Sequence, residues 1–214
     1  MFDINKYSSI VWDWNGTIVD DTRLTFDIYC RECEEYDLER MDFEQYKSRF
    51  YFPVKKFYEE VGLDGEKYAA LADKFAEVYR RSWREIKIHS GVESYLEENR
   101  ARGISQFILS AYKQNELLEM VEFFGLGKYF TDIAGISDNL AQSKIHSGKK
   151  LIEKNGVCIK KTIMIGDTTH DFEVAVALGI DVILVSWGTI SYEKLAKDCG
   201  EKNVVKNLSE LFGK

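Results

Sequence analysis

Short apolar segments alternate with amphipathic segments throughout residues 89–214, and this alternation most strongly constrains what the chain can fold into. The apolar segments are Ser105–Leu109, Thr131–Ile136, Thr162–Ile165, Asp181–Val185 and Val204–Val205. These segments lack the regular polar face of a strand that has one side in water. We therefore expect parallel strands that are covered by helices on both faces, which is an α/β fold.

The part of the chain before this region differs in its pattern. One further apolar strand, Ile10–Trp12, ends at Asp13, and the pattern from Thr22 to about Arg84 is then almost wholly helical. Its clearest helix is Glu66–Trp83, where apolar residues recur at intervals of three and four. We expect the first strand to join the sheet, so the helical block is an insertion. The predicted division is an α/β core of residues 1–19 and 89–214 and an all-helical cap domain of residues 20–88.

Composition excludes several classes of protein. The 214 residues carry a net charge of -7 without a basic block, which argues against a nucleic-acid partner. No apolar run reaches the ~18 residues of a membrane span, and the first residues do not resemble a signal peptide. The lone C-x-x-C of Cys30 and Cys33 lacks the further ligands of a zinc site. We expect a cytoplasmic protein without a membrane partner, and the oligomeric state stays open.

Polar side chains follow several of the predicted strands directly. Asp13, Ser110 and Asp167 each stand at the end of an apolar strand, and the ends of parallel strands share one edge of the sheet. Asp171 comes four residues after Asp167, and Lys144 is expected just before a helix. Carboxylates bind Mg²⁺, lysine and serine bind phosphoryl oxygens, and a carboxylate can attack phosphorus. This edge therefore predicts a phosphate site with a hard cation.

The order of these motifs resembles that of the haloacid dehalogenase superfamily. The resemblance rests on Asp13–Thr17, Ile108–Ser110, Lys144 and Gly166–Asp171, and it covers essentially the whole chain. The segments His89–Val92 and Ser186–Thr189 are most similar to those of the phosphoglycolate-phosphatase-like hydrolases. The resemblance implies a Rossmann-like parallel-sheet core with helices on both faces and an inserted helical cap that selects the leaving group.

The resemblance also implies a role for each matching residue. Asp13 would be the nucleophile that forms an aspartyl-phosphate, and Lys144 would neutralise the phosphoryl group and orient Asp13. The implied Mg²⁺ ligands are Asp13, the backbone carbonyl of Asn15, Asp167 and Asp171. The implied phosphate-binding residues are Trp14 and Gly16 through their amides, Thr17, Ser110, Ala111 and Lys144.

Two positions depart from the family pattern. The family carries a general acid–base aspartate where this chain has Asn15, whose side chain can neither donate a proton as an acid nor accept one from water. The family lysine is commonly followed by proline, but here Ile145 follows Lys144, so Lys149 and Lys150 are alternatives for the site lysine. Three residues are expected to have minor roles: Asp20 and Asp21 as charges that complement a helix dipole, and His170 as an exposed neighbour.

These observations predict an enzyme, a Mg²⁺-dependent phosphomonoester hydrolase that acts on a small phosphorylated metabolite. A slow or inactive phosphate-binding module on the same fold, or a phosphomutase, is the alternative. Asn15 keeps the inactive module open, and it counts against the mutase, which needs acid–base help at that position. The predicted cation site argues against a dehalogenase, because a dehalogenase would use its aspartate on carbon without Mg²⁺. The sequence does not name the substrate, because the shape of a cap sets specificity.

Overall fold

Six parallel strands form the central sheet in a computed structural model of the protein, which describes residues 4–136 and 141–211. For Glu66 and residues 141–143 only the backbone is described. The spatial order of the strands is β5-β4-β1-β6-β7-β8. The bounds are β1 (Ser9–Trp12), β4 (Ser105–Lys113), β5 (Asp132–Ile136), β6 (Thr162–Gly166), β7 (Asp181–Val185) and β8 (Val204–Val205). A separate antiparallel pair consists of β2 (Val19–Asp20) and β3 (Lys87–Ile88). The predicted α/β class is confirmed.

The register of the central strands places their carboxyl ends at one level. Trp12 of β1 lies opposite Ile108 of β4 on one side and Ile165 of β6 on the other. The chain leaves β1 for β4 and β5 on one side and returns to β6, β7 and β8 on the other. Such a reversal of strand order opens a crevice at the carboxyl edge of the sheet, where ligands of open α/β sheets bind.

Helices cover both faces of the sheet, as predicted. The helix bounds are α1 (Thr22–Glu35), α2 (Phe43–Arg49), α3 (Val54–Glu60), α4 (Gly65–Ser82), α5 (Val92–Ala101), α6 (Gln114–Phe123), α7 (Ala141–Asn155), α8 (Thr169–Leu178), α9 (Tyr192–Cys199) and α10 (Leu208–Leu211). Ile10 and Trp12 pack with residues of α5, α6 and α10, whereas Val11 packs with residues of α7 and α8. Within the described residues, no helix is both long and apolar enough to cross a membrane.

Two elements are longer than the sequence pattern predicts. The strand expected to end before Ser110 continues to Lys113, with a shift in register after Leu109. The helix expected to begin at Ser147 begins at Ala141. Its buried face carries Lys144 and Gly148 ahead of Leu151, so an apolar pattern could not reveal its first turns. The predicted last helix ends at Phe212, which lies outside the described residues.

Helices α1–α4 form the inserted helical unit, which we call the cap. The chain enters the cap through β2 and leaves it through β3, and Val19 pairs with Ile88 in this short antiparallel ribbon. The sequence pattern did not predict the ribbon, because each of its strands has only two residues. The ribbon brings both connections of the cap to one place beside the loop that follows β1.

The centre of the cap is a cluster of aromatic side chains. The ring of Tyr46 has its centroid 5.4 Å from that of Phe26, 5.2 Å from that of Tyr29, 5.3 Å from that of Phe50 and 5.8 Å from that of Phe57. Such ring pairs add stability beyond the area that they bury. The short helices α2 and α3 are therefore held by packing rather than by helix propensity.

One carboxyl group lies inside this apolar region. Glu32 of α1 is 2% exposed, and Tyr58 donates a hydrogen bond of 3.1 Å to its Oε2. Burial raises the pKa of Glu32 from 4.5 to about 7, against the lowering effect of that hydrogen bond. Between pH 4.5 and about 7, Glu32 therefore carries a proton in the folded protein, whereas the unfolded chain has already released it.

We expect this proton to make the cap less stable as the pH rises. The contribution of Glu32 to stability is fully present below pH 4.5 and is lost as the pH rises through about 7. Glu32→Gln, which carries no charge, should reduce the loss of unfolding free energy between pH 5 and pH 8 by on the order of 2 kcal/mol. Urea titrations of both proteins at the two pH values measure this difference. Glu34→Gln, at an exposed position of the same helix, is the control. If wild type and Glu32→Gln lost equal unfolding free energy between the two pH values, the raised pKa of Glu32 would be contradicted.

Candidate functional site

Three carboxylates meet at the carboxyl edge of the sheet. Asp13 directly follows β1, Asp167 directly follows β6, and Asp171 lies in the first turn of α8. They are 6%, 0% and 1% exposed, and one oxygen of each lies within 4.8 Å of the others. The structure thus brings together the three acidic residues that the sequence assigned to one rim.

Lys144 lies between two of these carboxylates. Its Nζ is 2.5 Å from Oδ1 of Asp13 and 2.6 Å from Oδ1 of Asp171, and the residue is 2% exposed. Lys144 lies in the first turns of α7. The sequence pattern had placed it in the segment before that helix, and this prediction is wrong. The alternatives Lys149 and Lys150 are exposed on the same helix. Of the three lysines, only Lys144 reaches the carboxylates.

Side chains and backbone amides hold the carboxylates in place. Thr17 donates its hydroxyl to Asp167 over 3.1 Å, and the N–H of Thr189 donates to the same carboxylate over 2.6 Å. Thr168 donates its N–H and its hydroxyl to Asp171 over 3.0 and 2.7 Å and caps α8. Within the described residues, the side chain of Asp13 has Lys144 as its hydrogen-bond partner and no backbone donor.

A glycine is required next to Asp167. Gly16 has φ +68°, and a Cβ added there would lie 2.2 Å from Oδ2 of Asp167. The turn after β1 can therefore pass this close to the carboxylate only without a side chain.

The predicted phosphate-binding residues divide into two groups. Ser110 is 1% exposed and lines the cavity together with Ala111. Its Oγ accepts the N–H of Tyr112 over 3.1 Å, so its own proton is free to be donated. The extension of β4 beyond Ser110 carries both residues along the rim. Their position agrees with a phosphate contact.

Two of the other predicted phosphate contacts already have partners within the protein. The hydroxyl of Thr17 is bound to Asp167, and the N–H of Gly16 donates to Asp21 over 2.7 Å. The indole of Trp14 is fully buried and packs on Phe124 in the core, with ring centroids 6.2 Å apart. The hydroxyl of Thr17 and the N–H of Gly16 thus hold carboxylates of the protein itself, whereas the predicted phosphate contact of the Trp14 backbone amide stays a prediction.

Asn15 is part of a network that the sequence did not reveal. Its Nδ2 lies 2.6 Å from Oδ2 of Asp21 and 2.7 Å from the hydroxyl of Tyr79, which itself donates to Asp21 over 2.6 Å. Asp21 stands at the N-terminus of α1 and is 2% exposed, and its side chain turns back to the loop instead of capping the helix. Burial raises its pKa despite these hydrogen bonds. In the sequence, the only sign of this network is that two aspartates, Asp20 and Asp21, follow one another.

Two histidines also lie closer to the site than expected. His170 is 7% exposed, lines the cavity and stacks on Phe52 at 5.4 Å, so the prediction of an exposed neighbour is wrong. His89 has its Nε2 3.1 Å from the carbonyl oxygen of Gly16, and burial lowers its pKa. His89 thus joins the end of the cap to the loop after β1.

The charges of the site are not balanced. Burial, and then the charge of Asp171, raise the pKa of Asp13 well above its ordinary value, although Lys144 lowers it. The same two causes raise the pKa of Asp167 to about 7. Burial acts in the same direction on Asp171, but Lys144 and Thr168 hold its pKa below the ordinary value.

The excess negative charge of the site indicates whether a metal ion fits there. Three buried carboxylates surround a single ammonium group, so excess negative charge remains where water is excluded. Mg²⁺ prefers one or two carboxylates together with waters and substrate oxygens. The donor set of Asp13, Asp167 and Asp171 fits such an ion, which would relieve the repulsion that raises two of the pKa values.

The site opens into a cavity of about 420 Å³ between the sheet edge and the cap. Asp13, Ser110 and Lys144 line its floor, and side chains of α2, α3 and α4 form the opposite wall. A volume of this size is typical of a pocket for a small molecule.

Comparison with known proteins agrees with this geometry. A sequence model of the family described as haloacid dehalogenase-like hydrolase matches residues 10–185. The tyrosine-protein kinase PtkA of Mycobacterium tuberculosis is 25% identical over 137 residues, which are 64% of this chain and 47% of that protein. The chain therefore spans about half the length of these PtkA relatives. The phosphoglycolate phosphatase of Synechococcus elongatus is 21% identical over 191 residues, 89% of each chain.

Solved structures share the fold over almost the whole chain. A crystal structure from Clostridium acetobutylicum, described as a predicted phosphatase, has a TM-score of 0.81 at 24% identity and covers 97% of both chains. The structure of PtkA from M. tuberculosis has a TM-score of 0.78 at 18% identity, again over 97% of both chains. The family match runs from the first strand through β7 and so includes Asp13, Lys144, Asp167 and Asp171. This chain belongs to the haloacid dehalogenase-like hydrolase family.

Proposed function

We propose that the protein is a Mg²⁺-dependent phosphomonoester hydrolase that acts on a small phosphorylated metabolite through an aspartyl-phosphate. The observation that carries the proposal is the buried cluster of Asp13, Lys144 and Asp171, which opens into a closed-sided cavity. The family membership and the phosphatase names of several relatives support it. The residue roles below are part of the proposal.

Asp13 acts as the nucleophile. One of its carboxylate oxygens attacks phosphorus, the bond from phosphorus to the ester oxygen breaks, and the alcohol leaves after it takes up a proton. Water then attacks the phosphorus of the aspartyl-phosphate, which releases inorganic phosphate and regenerates Asp13. Lys144 offsets the charge of the phosphoryl group, and the hydroxyl of Ser110 donates to one of its oxygens.

Asp13, Asp167, Asp171 and the backbone carbonyl of Asn15 would hold the cation. When bound, Mg²⁺ supplies a positive charge beside the phosphoryl oxygens and keeps the carboxylates ionised. Thr17 and Thr189 orient Asp167 by the hydrogen bonds described above, so both act on the reaction through that carboxylate.

The cap, which we assign to residues 20–88, closes the site. The ribbon of β2 and β3 carries both of its connections, and Tyr79 of α4 reaches across to Asp21 and Asn15. Closure of the cap excludes water from Asp13 until the alcohol has left.

The proton of the leaving alcohol requires a donor other than Asn15. Asp21 from the cap connection and His170 from α8 both line the cavity and can carry a proton. The amide of Asn15 donates to Asp21 and thereby positions it at the cavity wall. This arrangement favours turnover over the alternative of an inactive phosphate-binding module, which Asn15 otherwise supports.

Substitution of Asn15 tests this arrangement. Asn15→Asp places a second carboxylate 2.6 Å from Asp21, and two carboxylates at this distance share one proton. We expect Asn15→Asp to raise kcat on alkyl phosphates by less than the ~10²–10⁴-fold that general acid–base catalysis contributes. The double variant Asn15→Asp/Asp21→Asn removes the repulsion and should gain more. Unchanged kcat in both variants would show that Asn15 does not limit the rate.

Phosphate release from p-nitrophenyl phosphate and a panel of phosphorylated metabolites tests the proposed function. The assay is run with Mg²⁺ and again with a chelator. Turnover that the chelator abolishes and Mg²⁺ restores is the expected result. Phosphate that binds in a Mg²⁺-dependent way without turnover of any compound would contradict the hydrolase and favour the phosphate-binding module.

A further inference from the structure

The wall that faces the carboxylates across the cavity is aromatic. It is formed mainly by cap side chains, among them Tyr46, Phe50, Phe52, Tyr58, Phe75 and Tyr79. Leu71 and Val54 fill the spaces between these rings. A phosphoester whose phosphorus lies beside Asp13 must place its alcohol portion against this wall, because the floor of the cavity is taken by the phosphoryl group.

The tyrosines of this wall have partners for their hydroxyl groups. Tyr58 donates to Glu32 over 3.1 Å, and Tyr79 donates to Asp21 over 2.6 Å. The rings of Tyr46 and Phe50 are held at 5.3 Å from each other within the cap cluster. The wall therefore presents ordered ring surfaces rather than free hydrogen-bond donors.

The wall also offers no positive charge. Among the described residues that line the cavity, Lys144 is the only lysine or arginine, and it is already bound to Asp13 and Asp171. Residues 137–140, which the structure does not describe, contain no lysine or arginine in the sequence. Near the wall, the cavity is further lined by the carboxylates of Asp13 and Asp21 and by the imidazole of His170, which stacks on Phe52.

We propose that the substrate is a phosphomonoester with an uncharged, aromatic or similarly apolar alcohol portion. This inference rests on the proposed function and adds the class of leaving group. An apolar ring gains from contact with the cap rings, whereas a second anionic group would be buried without a partner and beside like charges. Phosphoglycolate, the compound in the name of one of the relatives described above, carries such a second anionic group.

Binding of two phosphonates tests the inference without turnover. Benzylphosphonate and phosphonoacetate share a CH₂–PO₃ group and differ only in a phenyl ring against a carboxylate. Titration calorimetry of the full chain in Mg²⁺, with inorganic phosphate as the reference, should show that benzylphosphonate binds at least ~10-fold more tightly than phosphonoacetate. Equal binding, or tighter binding of phosphonoacetate, would overturn the inference.

Turnover of matched esters gives a second test. Benzyl phosphate and 2-phosphoglycolate are both esters of primary alcohols, so the aromatic preference is not confounded with the reactivity of a phenolate leaving group. We expect kcat/KM for benzyl phosphate to exceed that for 2-phosphoglycolate by about 100-fold or more. Chelator-sensitive turnover with the opposite order would overturn the inference and leave the proposed function standing. Absence of turnover together with absence of Mg²⁺-dependent phosphate binding would remove the proposed function, and this inference with it.

A pair of substitutions at Ala72 locates the effect in the cap. Ala72 lines the cavity from α4 and is exposed, so a larger side chain can be accommodated there. Ala72→Arg supplies the missing cation and should raise kcat/KM for 2-phosphoglycolate relative to benzyl phosphate by ~10-fold or more. Ala72→Met adds bulk without charge and should keep the preference for benzyl phosphate. If both variants changed the ratio of the two kcat/KM values equally, the charge of the cavity wall would not determine the preference, and the inference would be contradicted.

Discussion

Asp13→Asn is expected to lower phosphate release by about 10⁴-fold or more, because the amide cannot form the covalent bond to phosphorus. The expected loss appears in kcat with every phosphomonoester, since the same atom attacks each of them. Asp13 directly follows β1 in the chain, and its Oδ1 is 2.5 Å from Nζ of Lys144. Initial rates with p-nitrophenyl phosphate in Mg²⁺ measure the effect.

The fold of this variant has to be checked separately. Asp13 is surrounded by Asp167, Asp171 and Lys144, so its removal both relieves a repulsion and takes a partner from the lysine. A circular dichroism spectrum and a melting curve like those of the wild type would show that the loss is chemical. Asp20→Asn, at an exposed position seven residues along the chain, is the matched control and should keep its activity. A rate within 10-fold of the wild type for Asp13→Asn would contradict its assignment as the nucleophile.

Lys144→Met is expected to have the largest effect on stability. The substitution leaves Asp13 and Asp171 buried without their cation, and loss of one partner of a buried ion pair typically costs about 3–5 kcal/mol. Without the lysine, the pKa values of both carboxylates rise. The deficit should therefore be greatest at neutral and alkaline pH and should shrink as the pH falls and the carboxylates take up protons.

Two measurements separate this effect from a general loss of packing. Urea unfolding of wild type and Lys144→Met at pH 5 and pH 8 gives the pH dependence, and addition of Mg²⁺ should restore part of the stability of the variant. Lys149→Met changes an exposed lysine of the same helix and should alter unfolding by no more than about 0.5 kcal/mol. A larger loss of stability or of turnover in Lys149→Met than in Lys144→Met would contradict the choice of the site lysine.

The sequence by itself determined the fold class and the position of the main carboxylates. The apolar segments are short but lack a regular polar face, and their alternation with helical patterns allows few arrangements besides a parallel sheet. Because parallel strands end at one edge, Asp13 and Asp167 could be placed together without knowledge of the structure. The family motifs then identified Lys144 and Asp171 as companions, although nothing in a local pattern measures their distance.

The tertiary structure decided which polar side chains face the cavity. The first turns of α7 bury Lys144 and Gly148, so the start of the helix could not be recognised from apolar spacing. Asp21 looked like a charge at the start of a helix, but contacts with Asn15 and with Tyr79, 58 residues further along the chain, turn it inward.

The wall of the cavity is the other feature that no local pattern predicts. Its rings come from α2, α3, α4 and the segment between α2 and α3, and Tyr46, Phe50 and Tyr58 also belong to the core of the cap. Spacing along one helix shows which residues are buried, but it does not distinguish a ring that faces another helix from a ring that faces a ligand. That distinction depends on how the cap sits over the sheet edge, and long-range packing alone sets this arrangement.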